Sequence, residues 1–287
     1  MGGRTEAATV VSTCEAYVLH VRDTGGAIAS DEIAARFRRW VEGSDLGKIE
    51  LSKLTRHRVD LWRKSLGRTP ATVNRDMTAL RAALNRAHDL GHVVTDSAWR
   101  VALRHSRNVD KPRGAYLYRD ERRDLVDVCA PDLGVFLRGL SLVPLRPGAL
   151  ASLRVVDFDN GLSVLTIGKD KSGRDRKIKL PKATAAFFVQ ASKDKLPAAP
   201  LIALADGKAW DKDSWKWPVK AAVMRAELPS STTAYVLRHS AIADLVVPGL
   251  DLATTALLSG TSVAMIERPY MHLQADRAMD ALASLAL

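Results

Sequence analysis

Apolar residues along this chain recur at steps of three and four, the spacing that lines one face of an α-helix. The pattern changes in one place, between Leu162 and Pro181, where apolar and polar residues alternate. That single switch of period restricts the chain to a mainly α fold with a small antiparallel β-sheet, an α+β arrangement. The alternating runs are LSVLTIG and RKIKLP, and KDKSGRD lies between them with Gly173 in its turn. They form a hairpin or a short meander.

Before that switch, helix signals are frequent. A helix is expected from Ala7 to about Val21, with Gly25 and Gly26 breaking it. Ser30 reads as the N-cap of a second helix through Trp40, since Asp31 and Glu32 suit the positive end of its first turn. A third is expected from Thr55 to Leu66, ended by Gly67. The strongest is TPATVNRDMTALRAALNRAHDLG, with Pro70 near its first position and Gly91 past its end. Val73, Met77, Leu80, Leu84 and Ala87 make its buried stripe. Arg75, Arg81 and Arg86 lie off the stripe, either as a solvated basic face or as contacts to phosphate. Four helices and no strand are expected up to Arg104.

The stretch HSRNVDKPRG, His105 to Gly114, is polar, aperiodic and carries Pro112, so it reads as a linker. The expected organisation is a helical domain over residues 1–106, a connection over 107–114, and a second domain over 115–287. The second domain opens with helices in DERRDLVDVCA and PDLGVFLRGLSLV, continues through LRPGALASL to the alternating runs, and returns to helix from Ala183. Near its end, Thr232 to Leu273 reads as two short helices, the second stopping at Pro269 and presenting Tyr270.

Charge narrows the partners. Lys plus Arg number 43 against 32 Asp plus Glu, a net charge of +11 with a pI near 9.8. Residues 1–114 hold 20 basic and 13 acidic side chains, and the remainder 23 and 19, so both halves are basic. A polyanion is the natural ligand of such a surface, because each basic group set against a phosphate releases condensed counterions. A basic enzyme without nucleic acid is the alternative. Cys14 and Cys129 lie far apart without metal-ligand spacing, so reduced thiols are expected. No apolar run approaches a membrane span and no signal-peptide core follows the N-terminus, which suggests a cytoplasmic protein. Nucleotide-binding glycine loops, C-x-x-C and H-E-x-x-H are absent, and the seven histidines are scattered, so neither metal nor nucleotide cofactor is expected.

Four spots remain for chemistry: Arg146 before Pro147-Gly148, Lys171 in the hairpin, the pair Arg238-His239 on a helix, and Tyr270. Taken singly, each reads as ordinary structure: a surface turn, a turn lysine, a helix surface pair, a packed aromatic. In order, they resemble the tyrosine recombinase, or phage integrase, family. LRPGALASLRVVDFD is similar to its "RxGEL…L…D" segment, KSGRDRKIKLP to its hairpin "KTG…R…LP", and YVLRHS to its "HxLRH" box. GTSVAMIERPYMHL is similar to the C-terminal box that ends in the nucleophile. The first domain resembles the family's four-helix core-binding domain, so the resemblance covers nearly the whole chain.

That resemblance implies a site-specific DNA recombinase that cleaves and rejoins duplex DNA through a 3′-phosphotyrosine, without metal or ATP. It implies Tyr270 as nucleophile, Arg146 and Arg238 as the phosphate-binding arginines, and Lys171 as general acid, with Lys169 as the alternative. Tyr235 stands at the first histidine of the HxLRH box and Thr261 at the later His/Trp position. A subgroup of bacterial and phage integrases resembles the chain at both. His239 is either catalytic or a structural hydrogen-bonding group. Other departures are Ala149, where an acidic residue is expected, Pro144 in place of Gly, and Pro269 just before the nucleophile. The family implies a homo-tetramer on DNA, and a monomer is expected free in solution. The tail MHLQADRAMDALASLAL has apolar residues at helical spacing, suited to docking on a neighbour or on its own core. A DNA-binding integrase remnant without catalysis and a type IB topoisomerase-like relaxing enzyme are the competing readings.

Overall fold

A computed structural model describes residues 7–107, 109, 116–168 and 175–270. The chain divides into two compact units, residues 1–111 and 112–287.

The first unit contains helices α1 (Val10–Gly25), α2 (Ala27–Trp40), α3 (Arg56–Ser65) and α4 (Pro70–Asp89). Thr9 and Ser12 form a capping box at the start of α1, which runs four residues past the expected Val21. The break to α2 is a single residue, Gly26, whose φ of 84° and ψ of 168° only glycine adopts without strain. Ser30 is therefore inside α2 rather than its N-cap. It is fully buried, and its hydroxyl donates to the carbonyl of Ala27 at 2.8 Å, so a residue that suits a cap is satisfied by its own helix. Along α4 the expected stripe from Val73 to Ala87 is buried. It packs with Val59 and Phe37 and with the indoles of Trp62 and Trp99. Each indole N–H finds a partner, Trp62 the carbonyl of Trp40 at 2.6 Å and Trp99 the Asn85 amide oxygen at 2.8 Å.

The second unit is built on α5 (Arg119–Asp127), α6 (Pro131–Leu142), α7 (Pro147–Ala151), α8 (Lys182–Ser192) and α9 (Lys212–Arg225). It closes with α10 (Ala234–Val246), α11 (Leu252–Ser259) and α12 (Val263–Tyr270). Strands β1 (Phe158–Asp159), β2 (Val164–Ile167) and β3 (Arg176–Lys179) form an antiparallel meander in that order. Leu165 pairs with Phe158 on one side and Ile178 on the other, and all three point into the core. The core centres on α6, where Phe136 stacks on Trp210 at 5.2 Å and on Trp215 at 5.3 Å.

α10 is buried over most of its surface. Its outer side is tied to the first residues of the unit. Arg122 meets Asp244 at 2.6 Å, Tyr116 donates to the same carboxylate at 2.7 Å, and the Leu117 N–H donates to Ser240 at 2.9 Å. Its other side packs on α11 and α12 through Ile242, Val246, Ala256, Ile266 and Tyr270. Pro269 does not stop the last helix, which continues through Tyr270. Proline's fixed φ is compatible with helix; it forfeits the bond to the carbonyl of Met265 and crowds that carbonyl, and Met265 is an exposed residue.

Candidate active site

The candidate residues come from three separate parts of the second unit. Arg146 is the N-cap of α7, where the extended backbone of Arg146 turns into helix at Pro147. Arg238 and His239 lie in the first half of α10. Tyr270 ends the described part of α12. Arg146 and Arg238 meet at the C-terminus of α11, while Tyr270 shares an apolar cluster with Ala256 in the body of that helix. At that C-terminus Gly260 takes the left-handed conformation, φ 63° and ψ 54°, which ends the helix and leaves the Ser259 and Gly260 carbonyls to accept from side chains.

Both arginines attach to those carbonyls. Nη1 of Arg146 donates to the Gly260 oxygen at 2.7 Å. Nη1 of Arg238 donates to the Ser259 oxygen at 2.9 Å and to the Pro144 oxygen at 2.6 Å. A helix C-terminus carries partial negative charge, so it is a suitable anchor for guanidinium groups. The contact to Pro144 also fixes the segment just before Arg146. Since it uses the backbone oxygen, proline serves there as well as glycine. Arg146 is exposed, whereas Arg238 is only 6% exposed. Burial, together with the nearby charges of Arg146 and Arg176, pushes the Arg238 pKa down to about 10; Tyr270 and Tyr235 act in the opposite direction. Arg238 is still a cation at neutral pH, but one in surroundings already rich in positive charge.

Tyr270 is 7% exposed and belongs to the α10–α12 apolar cluster. Its hydroxyl lies 2.5 Å from Nδ1 of His239. Burial raises its pKa to about 12, and the charge of Arg238 partly offsets that rise. The phenol is therefore neutral at physiological pH and has a ring nitrogen beside it that can accept its proton.

Other expected residues have less definite places. Tyr235 is 42% exposed, one turn before Arg238, and near enough to influence its charge. Thr261 is half-buried, its N–H bonded to the Ala256 carbonyl at 3.1 Å. Ala149 is half-buried against the main core, where an acidic side chain would be poorly solvated. In the first unit Arg75 is exposed and Arg81 and Arg86 are half-buried. Lys171 and Lys169 lie outside the described residues.

Sequence reasoning missed Arg176. Its Nε is shut off from solvent, and its guanidinium lies against Gly260. A signal was available: alternation along RKIKLP puts Arg176 on the same side as Ile178, the buried side of β3. The role of the Ser259 and Gly260 carbonyls was not foreseeable from residue types. A cavity of about 590 Å³ lined by Arg119, Arg122, Arg123, Arg138 and Asp244 is a separate feature, with none of these site residues in its wall.

No protein-family model and no curated protein matches the chain. Solved structures do. An integrase of transposon Tn1549, in complex with a circular intermediate DNA, superposes with a TM-score of 0.80 at 17% identity, over 95% of this chain and 99% of that one. A lambda integrase fragment, a dimer bound to a COC′ core site, gives 0.71 at 17% identity over 90% and 97%. A lambda integrase tetramer bound to a Holliday junction gives 0.70 at 16% identity over 93% and 79%. The chain has the fold of the tyrosine recombinases and integrases.

Proposed function

We propose that this protein is a site-specific DNA recombinase that breaks and rejoins duplex DNA through a tyrosine–phosphate intermediate. One observation carries the reading: Arg146 and Arg238 are fixed to successive carbonyls of Gly260 and Ser259, in the same small region as the buried Tyr270. Two guanidinium groups held this way supply donors and charge for the non-bridging oxygens of a phosphodiester. The phosphate in turn offsets the crowding of positive charge that depresses the Arg238 pKa.

In the proposed step the Tyr270 oxygen attacks phosphorus, forming an O–P bond as the bond to the 5′-oxygen breaks. The phenolic proton passes to Nδ1 of His239, and the leaving 5′-oxygen takes a proton from Lys171. Reversing the same bonds with another strand's 5′-hydroxyl rejoins the DNA and needs no metal or ATP. Tyr235 and Thr261 contribute hydroxyl donors to the phosphate. Arg75, Arg81 and Arg86 of the first unit contact the backbone, Arg75 being the most open to solvent among them. The partner is double-stranded DNA, with the protein monomeric when free and tetrameric on its target.

A pool of nicked duplexes randomised around the nick tests the reading whatever the target sequence. Denaturation-resistant protein–DNA adducts should form with the wild type and be lost in Tyr270→Phe. If the wild type gives no more adduct than Tyr270→Phe, recombinase activity is refuted. Salt-dependent DNA binding without adduct would instead identify a DNA-binding remnant, the reading favoured by Ala149 in place of an acidic residue.

A further inference from the structure

Three guanidinium groups surround one residue without a side chain. Arg146 bonds the Gly260 carbonyl, and Arg238 bonds the carbonyl just before it. Arg176, on β3, lies across the Gly260 Cα so closely that a Cβ built there would overlap its Nη1 and fall 2.6 Å from its Cζ. A side chain at 260 is thus disfavoured by the φ of 63°, and it could fit only if the Arg176 guanidinium moved aside. The positive charge of Arg176 is also close enough to lower the Arg238 pKa.

We propose that Arg176 is a positioning residue for the cleavage reaction. Its planar guanidinium wedges the Ser259–Gly260 turn into place, and that turn sets where Arg146 and Arg238 stand. Arg176 acts through the turn, whereas the other two arginines bind the phosphate. Lysine is no substitute for such a wedge, because a flexible ammonium does not present a flat face to the backbone. The role also links the β2–β3 pair to the phosphate site, because Arg176 is the first residue of β3 and stands five positions after Lys171 in the sequence. DNA contacts that shift the hairpin would therefore be felt at both arginines. This inference rests on the recombinase reading for its catalytic part, while the wedge itself does not depend on it.

The experiment has two arms. In the first, Arg176→Gln, Gly260→Ala and the double variant are compared with wild type in single-turnover adduct formation on a nicked duplex selected as above. Each single variant should slow the reaction at saturating DNA by about tenfold to a hundredfold, the scale expected of a misplaced catalytic group. The half-saturating DNA concentration should change by no more than about twofold, and Arg176→Lys should not restore the rate. A residue that only supports folding would reduce the adduct yield while leaving the rate of the active fraction unchanged. The double variant should be no slower than the slower single, because both substitutions disturb one turn. Wild-type rate in Arg176→Gln, or defects that multiply in the double variant, overturns the proposal.

The second arm is urea unfolding of the same four proteins, which needs no activity. Gly260→Ala should lower the unfolding midpoint in both backgrounds, since its φ strains any side chain, and by clearly more in the wild type than in Arg176→Gln, where the wedge is gone. Equal losses in both backgrounds overturn the wedge. If the wild type forms no adduct but the unfolding effects are coupled, the recombinase reading fails and the wedge stands, as a structural device alone.

Discussion

Nδ1 of His239 and the hydroxyl of Tyr270 are 2.5 Å apart, a hydrogen bond between two helices that joins the middle of α10 to the end of α12. It pairs the proposed nucleophile with the residue that follows the buried arginine in sequence. The phenol sits in an apolar cluster that raises its pKa, so its proton needs an acceptor during attack. His239→Ala should therefore slow adduct formation by about a hundredfold, within the range typical of general bases. It should leave DNA affinity unchanged. Single-turnover adduct assays alongside DNA-binding measurements check this; a wild-type rate in His239→Ala would contradict the role.

The Tyr270 phenol should also be visible in alkaline stability. Its folded pKa of about 12 lies above the unfolded value near 10, so the protonated form is favoured by folding. The associated stability is complete below pH about 10 and is lost as pH rises toward about 12. Urea midpoints of the wild type should therefore fall between those pH values more steeply than those of Tyr270→Phe. Tyr116, whose pKa is raised first by burial and then by Asp244, contributes a similar loss in both proteins and cancels in the comparison.

Arg146 and Arg238 should separate by their cost to folding. Arg146→Ala removes an exposed side chain and should change stability by less than about 1 kcal/mol. Arg238→Ala removes a buried cation and strips the Pro144 and Ser259 carbonyls of a donor, at a cost of about 2–4 kcal/mol. Both should reduce adduct formation by at least about a hundredfold. Equilibrium unfolding alongside the cleavage assay distinguishes the two.

The pair Arg122–Asp244 should be a strong stabilising contact of the second unit. The Arg122 side chain is 7% exposed and that of Asp244 22%, and the carboxylate also accepts from Tyr116. Asp244→Ala leaves Arg122 without its charge partner and should cost about 2–4 kcal/mol, the lower part of this range reflecting incomplete burial. Tyr116→Phe keeps the ion pair and should cost about 1 kcal/mol or less. Denaturant midpoints for both variants, read against the wild type, settle the order.

Much of the fold was legible in local patterns. The α4 stripe and the change of period that makes β2 and β3 both depend on residues close in sequence, whereas most of the polar stretch after His105 lies outside the described residues. The errors were local competitions: Ser30 has the chemistry of a cap, but Gly26 ends the preceding helix so abruptly that α2 starts early and buries it. Pro269 has the reputation of a breaker, yet α12 continues through it to Tyr270, with the lost bond and the crowding both falling on the exposed Met265 carbonyl. The strand β1, two residues long, carries too little pattern to detect.

For the site, residue identity and order were sufficient to mark Arg146, Arg238, His239 and Tyr270 as candidates. What sequence could not specify is the junction that joins them. Backbone carbonyls have no residue type, so the anchoring of Arg146 and Arg238 on Gly260 and Ser259 depends on how α7, α10 and α11 come together. The same packing buries Tyr270 against His239 and brings Arg176 over Gly260 from a strand more than eighty residues earlier in the chain. Helix and strand preferences are decided by neighbours along the chain, whereas charge density, desolvation and donor–acceptor geometry are decided by neighbours in space.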